Sequence, residues 1–240
     1  MPIEPPASSW NFDLSLGDDP VEFIGTGADD APGTLLAAYR HGIFPMPTKP
    51  NGTLGWWSPQ PRGVLELEHL HVSRSLGRSL RRFEVRINSE FDAVIDGCAD
   101  RRHGNWIDAR IKAAYSELHR LGWAHSVEIW QDQQLVGGLY GLAIGGLFAA
   151  ESKFHRVTDA SKAAVVALVS ALGDGQPRLI DVQWRTPHLA TLGATEMPRS
   201  QYLNRLAELL SVPLPSAFIG GSRPVSVDCP FRGATSERKP

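Results

Sequence analysis

Ser126-Val127-Glu128-Ile129-Trp130, Leu135-Val136-Gly137-Gly138-Leu139-Tyr140-Gly141-Leu142 and Leu147-Phe148-Ala149-Ala150-Glu151 follow one another in the middle of the chain. Asp132-Gln133-Gln134 separates the first two runs, and Gly145-Gly146 separates the last two. Apolar runs broken by such short turn signals predict a three-strand meander. Downstream, the spacing predicts an apolar helix over 161–172 and a strand over 178–183. Thr186-Pro187 opens a short helix stopped at Gly193, with proline at its first position. Ser200 is read as the cap of a last helix reaching Leu210.

Upstream, alternation predicts strands over 63–67 and 83–87, and periodicity predicts helices over 71–82 and 91–99. Asp108 caps an amphipathic helix ending at Gly122, with Ile111, Ala114, Tyr115 and Leu118 on one face. A short helix runs over 34–42, with Thr34 as cap and Gly42 as stop. Residues 1–31, rich in Pro, Gly and Asp, read as a loosely ordered arm. Phe44-Pro45-Met46-Pro47 through Trp56-Trp57-Ser58-Pro59 reads as a fixed surface loop. The expected division is a small N-terminal domain over 1–68 and a mixed α/β (α+β) domain over 69–240.

At about 150 residues per domain, 240 residues also make one to two domains. Apolar residues at 42% and charged residues at 21% exclude a disordered tail or a fibrous repeat. The two cysteines, Cys98 and Cys229, make no disulfide framework and suit a reducing compartment. No stretch reads as an export signal or a spanning helix, so a cytoplasmic protein is expected. The net charge of -2 argues against a basic nucleic-acid binder only for the chain as a whole. Locally, Arg74, Arg78 and Arg82 at i, i+4, i+8 share a helical face, with Arg81 and Arg86 beside them. That face is either solvated surface or a phosphate-backbone contact, and Arg101-Arg102-His103 extends it.

Three further clusters carry chemistry. Trp56, Trp57 and Trp106 either lid the junction between domains or stack on a nucleobase. Asp181 and Gln183 alternate onto one face of a strand, either as structural hydrogen-bonders or as a pair orienting a reacting amine or carbonyl. Glu151 ends an apolar strand, either in a salt bridge to Lys153 or Arg156 or as a holder of a substrate ammonium. No metal-binding, nucleophile-elbow or phosphate-loop motif occurs.

Several stretches in order resemble one family: leucyl/phenylalanyl-tRNA–protein transferase. They are Leu36-Ala37-Ala38-Tyr39-Arg40-His41-Gly42-Ile43-Phe44-Pro45, Trp56-Trp57-Ser58-Pro59, Asn105-Trp106-Ile107, Gly122-Trp123-Ala124-His125-Ser126-Val127-Glu128, Glu151-Ser152-Lys153-Phe154 and Ile180-Asp181-Val182-Gln183. The resemblance implies a GNAT-like (acyl-CoA N-acyltransferase-like) C-terminal domain and no cofactor. It implies transfer of Leu, Phe or Met from aminoacyl-tRNA to proteins beginning with Arg or Lys, marking them for N-degron degradation. By resemblance, Trp56 and Trp106 surround the terminal adenosine, and Trp57 is counted with them among the substrate-binding residues. Leu139, Phe148, Leu168, Leu172 and Ile180 shape the amino-acid pocket, with Lys153 at its edge. Asp181 and Gln183 orient and activate the attacking amine, and Glu151 holds substrate amine. Arg74, Arg78, Arg81 and Arg82 hold tRNA backbone, and the enzyme acts as a monomer without membrane contact.

The chain departs from the family pattern at Met46 (usually Trp), Lys153 (Met), Val182 (Cys) and Thr186 (Asn). Lys153 bears on the choice of amino acid, since it puts a cation beside an apolar pocket. Two rivals remain: a non-catalytic tRNA- or degron-binding module, and a coenzyme A-dependent acetyltransferase. The latter needs a glycine-rich loop opening the helix after the meander, where the chain has Arg156-Val157-Thr158-Asp159-Ala160-Ser161.

Overall fold

The computed structural model describes residues 1–49, 52–100 and 106–219. Arg101, Arg102, His103 and Cys229 lie outside these residues.

The meander forms as β6 (Ala124–Gln131), β7 (Gln134–Ile144) and β8 (Leu147–His155), all antiparallel. Asp132 and Gln133 both take left-handed φ, +52° and +60°, which matches the twist of a two-residue hairpin turn. β5 (Glu84–Ile87) pairs with the outer edge of β6. Helix α5 (Ala160–Leu172) then carries the chain to β9 (Leu179–Gln183), which lies parallel to β8. β4 (Arg62–Leu65) and β10 (Thr195–Met197) complete a seven-stranded sheet of order β10-β4-β9-β8-β7-β6-β5. The meander, crossover helix and parallel strand thus stand in the expected GNAT-like order. β4 belongs to this large sheet, so the expected boundary at residue 68 falls after one of its strands.

Both faces of the sheet are covered, as a buried strand requires. Tyr140, Leu142 and Ile144 of β7 pack with helices α1 (Pro32–Arg40), α3 (Phe91–Ala99), α4 (Ala109–Arg120) and α7 (Arg199–Leu209). Leu139 and Ala143 point to α5 and α2 (Arg74–Leu80) on the other face. Asp108 caps α4 by accepting from the Ile111 N–H at 2.9 Å. Thr186 caps α6 (Pro187–Ala190) through the Leu189 N–H at 3.2 Å.

Other expectations are corrected. α1 begins at Pro32 with Ala31 as its cap residue, so Thr34 lies inside the first turn, bonded to the Ser8 hydroxyl. α7 is preceded by Pro198, and Ser200 reaches back to Asp18 instead. α2 stops at Leu80, so Arg82 is beyond the helix and the three-arginine face does not extend to it. The proline-rich stretch is no loop: β2 (Phe44–Pro47) and β1 (Phe23–Thr26) pair with the two edges of β3 (Leu54–Trp57) in a small sheet.

The N-terminal arm is likewise anchored. Phe12 is buried against Trp56. The guanidinium of Arg199, 1% exposed, donates to the carbonyls of Gly17, Val21 and Ser58 at 2.8–2.9 Å and to that of Asp19. Backbone carbonyls leave no side-chain pattern, which is why these anchors have no sequence period. Arg199→Ala removes these charge-assisted bonds and is expected to destabilise the chain by about 3 kcal/mol. It is also expected to open residues 13–22 to protease. Urea unfolding and limited proteolysis check this; an unchanged midpoint and cleavage pattern would contradict the anchoring.

Candidate active site

β8 and β9 lie side by side only where Leu147, Phe148 and Ala149 face Leu179, Ile180 and Asp181. Beyond that point β8 stays with β7, while β9 continues along β4. The strands part, and a cavity of about 290 Å³ opens between them. One wall is Ala150, Glu151, Ser152 and Lys153 of β8; the other is Ile180, Val182 and Gln183 of β9. Leu139, Val165, Leu168 and Leu189 make it apolar, and Phe44, Met46, Trp106 and Trp184 complete the lining.

Two β-bulges aim its polar groups. Tyr140 pairs with Ser152 and Gly141 with Ala150, so Glu151 is the extra residue of β8. Gly63 pairs with Gln183 and Val64 with Asp181, so Val182 is the extra residue of β9. A bulge re-aims side chains by breaking the alternation of a strand. Each bulge faces a glycine for a steric reason: a Cβ on Gly141 would lie 2.2 Å from the Ala149 carbonyl oxygen, and one on Gly63 2.6 Å from the Arg185 nitrogen.

The β9 bulge separates Asp181 from Gln183. Asp181 is fully buried and does not line the cavity. Its Oδ1 accepts from Arg62 Nε at 2.8 Å and from the Gln183 N–H at 2.9 Å. Its Oδ2 accepts from Arg62 Nη2 at 2.6 Å and from the Tyr202 hydroxyl at 2.9 Å. Burial disfavours the Arg62 charge, yet Asp181 outweighs it and holds the guanidinium pKa above its ordinary value. Gln183 has a left-handed φ of +58° and lines the cavity. Its Nε2 is buried without a hydrogen-bond partner among the described residues. A buried orphan amide is costly unless a ligand satisfies it.

Glu151 holds the other polar position. Tyr39 donates to its Oε1 at 2.6 Å and Tyr115 to its Oε2 at 3.2 Å, while the two hydroxyls lie 2.5 Å apart. Burial pushes the carboxyl up to about 8, against the lowering effect of the tyrosine hydrogen bonds and with a further push from Asp181. Near neutrality Glu151 is therefore largely protonated.

Of the pocket residues expected from the sequence, Leu139, Lys153, Leu168, Ile180 and Trp106 line the cavity, whereas Phe148 and Leu172 are buried in the core behind it. Trp56 is also core, 4% exposed, its indole donating to the Gly27 carbonyl at 2.6 Å. Trp57 donates to the Met46 carbonyl and packs on Phe23 and Trp184. Neither of these two indoles lines the cavity; Trp184, which the sequence reading passed over, does. Arg74, Arg78, Arg81 and Arg82 are exposed on and just after α2. Tyr39, Arg62, Tyr115 and Tyr202 were also passed over. Tyr115 reads as one of several apolar-face residues of α4, and Arg62 sits among prolines with no partner nearby in sequence.

A family model described as leucyl/phenylalanyl-tRNA protein transferase matches residues 64–207. One described as the N-terminal domain of that transferase matches residues 29–60. A leucyl/phenylalanyl-tRNA–protein transferase of Shewanella denitrificans is 50% identical over 194 residues, 80% of this chain and 83% of its own. One of Salmonella paratyphi A is 46% identical over 203 residues, 83% of this chain and 86% of its own. A solved GCN5-related N-acetyltransferase-like protein from Streptococcus suis overlaps at a TM-score of 0.32 and 16% identity, over 69% of this chain and 64% of that one. So loose an overlap carries no argument about fold or activity.

The raised carboxyl of Glu151 has a signature in stability. The folded state favours its protonated form, so its contribution is full below about pH 4.5 and is lost as pH rises through about 8. Glu151→Gln does not titrate. Its stability relative to the parent chain is therefore expected to climb between pH 5 and 8.5. Paired urea titrations across that range check this, and a constant difference would contradict the raised carboxyl.

Proposed function

The chain belongs to the leucyl/phenylalanyl-tRNA protein transferase family, and on that premise we propose how its cavity carries an amino acid from tRNA to protein. The chain is an aminoacyltransferase. The donor's apolar side chain, leucine, phenylalanine or methionine, fits between Leu139, Leu168 and Ile180. Burying such a side chain there contributes about 1.5–3 kcal/mol. The ester carbonyl lies against Gln183, whose orphan Nε2 donates to the oxygen as negative charge develops on it. Trp106 packs on the terminal adenosine, since base stacking is what an aromatic at such a rim supplies. Glu151 faces the acceptor, a protein beginning with arginine or lysine.

The ester is already activated, so no nucleotide hydrolysis is required. The neutral α-amine of the acceptor attacks the ester carbon, and a C–N bond forms. The ionised fraction of Glu151, whose pKa is about 8, takes one proton from the nitrogen as this bond forms. The C–O bond to the 3′ oxygen breaks, and the proton on Glu151 returns to that oxygen. Asp181 does not touch the reacting atoms in this scheme. It is a positioning residue, holding the Gln183 backbone N–H at 2.9 Å. The product carries a new apolar N-terminus, the mark of a protein sent to degradation. Among the described residues no helix is long and apolar enough to cross a membrane. A donor of aminoacyl-tRNA supports a cytoplasmic site for the reaction.

One observation carries this reading: an unpartnered amide and a carboxyl held near neutrality both face a single apolar cavity. Radiolabelled Leu-tRNA or Phe-tRNA with a protein beginning in Arg or Lys tests it. Label is expected to move into the protein, and binding without transfer would overturn the reading. Gln183→Ala is expected to slow single-turnover transfer about 100-fold while donor binding persists. An unchanged rate would remove Gln183 from the chemistry.

A further inference from the structure

The donor cavity has a basic neighbour. β8 leaves the cavity at Lys153 and ends at His155, and Thr186 on the cavity rim leads into α6 and His188. A second cavity of about 410 Å³ lies at that end, lined by His155, Arg156, Lys162 and His188, with Asp159 and Ser161. His155, Arg156 and His188 are exposed and Lys162 is half-buried. The His188 ring lines this cavity together with His155 and Lys162, and partial desolvation followed by the charges of Lys153, Lys162 and His155 lowers its pKa.

Among the described residues the one carboxylate lining this cavity, Asp159, is engaged by α2. Asp159 Oδ2 accepts from the Ser79 hydroxyl of α2 at 2.7 Å, and the same hydroxyl accepts from Arg82 Nη2 at 3.3 Å. Through this link the second cavity adjoins α2 with its exposed Arg74 and Arg78. Basic groups thus run from the mouth of the donor cavity, through His188 and Lys162, to the arginines of α2. That track lies on a chain whose net charge is -2, so it is a local construction and not a consequence of composition.

We propose that the His155–Lys162–His188 cavity is a phosphate subsite for the RNA strand just before the terminal adenosine of the donor. It rests on the transferase reading above. An aminoacyl ester seated in the first cavity puts the 3′ nucleoside at its rim, and the next phosphodiesters must leave across a neighbouring surface. The second cavity adjoins that rim and is lined by Arg156 and Lys162, whose charges suit phosphate oxygens, with the imidazole of His188 beside them as a hydrogen-bond donor.

The test compares two donors in the full chain: aminoacyl-tRNA, and aminoacyl-adenosine, which carries the ester without any phosphodiester. Lys162→Ala and His188→Gln are measured singly and together between 50 and 200 mM salt. For aminoacyl-tRNA, KM is expected to rise about threefold per lost contact, with kcat kept. The slope of log KM against log salt is expected to flatten by about 0.7 for Lys162→Ala and to stay unchanged for His188→Gln, whose lowered pKa leaves the ring uncharged near neutrality. For aminoacyl-adenosine, KM and kcat are expected to stay at the parent values. Equal losses with both donors, or none with aminoacyl-tRNA, would overturn the subsite in an active enzyme. No transfer by the parent chain from either donor would overturn the transferase reading itself, and the subsite with it.

Discussion

The pair of Arg62 and Asp181 is the constraint on which the site depends. Both side chains are removed from water, and desolvating two charges costs several kcal/mol each before their attraction returns it. The geometry that offsets this cost is demanding. Two charge-assisted bonds join the partners in a fork, a third donor on Arg62 reaches the Gly42 carbonyl at 2.9 Å, and the guanidinium lies 4.5 Å from the centre of the Tyr202 ring. Breaking such a pair by removing one partner costs about 3–5 kcal/mol. The pair therefore fixes, at one point, the turn after α1, strand β4, strand β9 and helix α7.

The rest of the site follows from that fixed point. With Asp181 committed to Arg62 and Tyr202, β9 bulges at Val182 and turns Gln183 into the cavity. On the other wall, the bulge at Glu151 turns a carboxyl towards the same space. One carboxylate is paired with a guanidinium in a fork, and the other is pushed towards neutrality by burial. In the proposed reaction the same residue type serves structure in one place and proton transfer in the other, because the environments differ. The apolar walls between them supply affinity for a side chain without competing for the polar groups.

Regular features of the fold were legible in the sequence, and long-range ones were not. The meander, α3 and α5 are written in periodicity, and the caps at Asp108 and Thr186 in local hydrogen-bonding chemistry. Arg62 and Asp181 are 119 positions apart, and no local pattern announces a partner at that distance. Alternation placed Asp181 and Gln183 on one face because it assumes an uninterrupted strand, and the bulge breaks that assumption. Trp56 looks available for stacking because it lies in a proline-rich stretch; its N–H is instead satisfied by a backbone carbonyl, a partner that leaves no trace in composition. The net charge said nothing of the basic track beside the cavity, which only the convergence of β8, α5 and α6 assembles.

The most direct test of where the reaction takes place is the crystal structure of the chain with a stable amide-linked leucyl-adenosine. The account predicts the leucyl side chain among Leu139, Leu168 and Ile180, its carbonyl oxygen within hydrogen-bond reach of Gln183 Nε2, and the adenine ring against Trp106. A leucyl group bound outside the gap between β8 and β9, or a carbonyl turned away from Gln183, would contradict it.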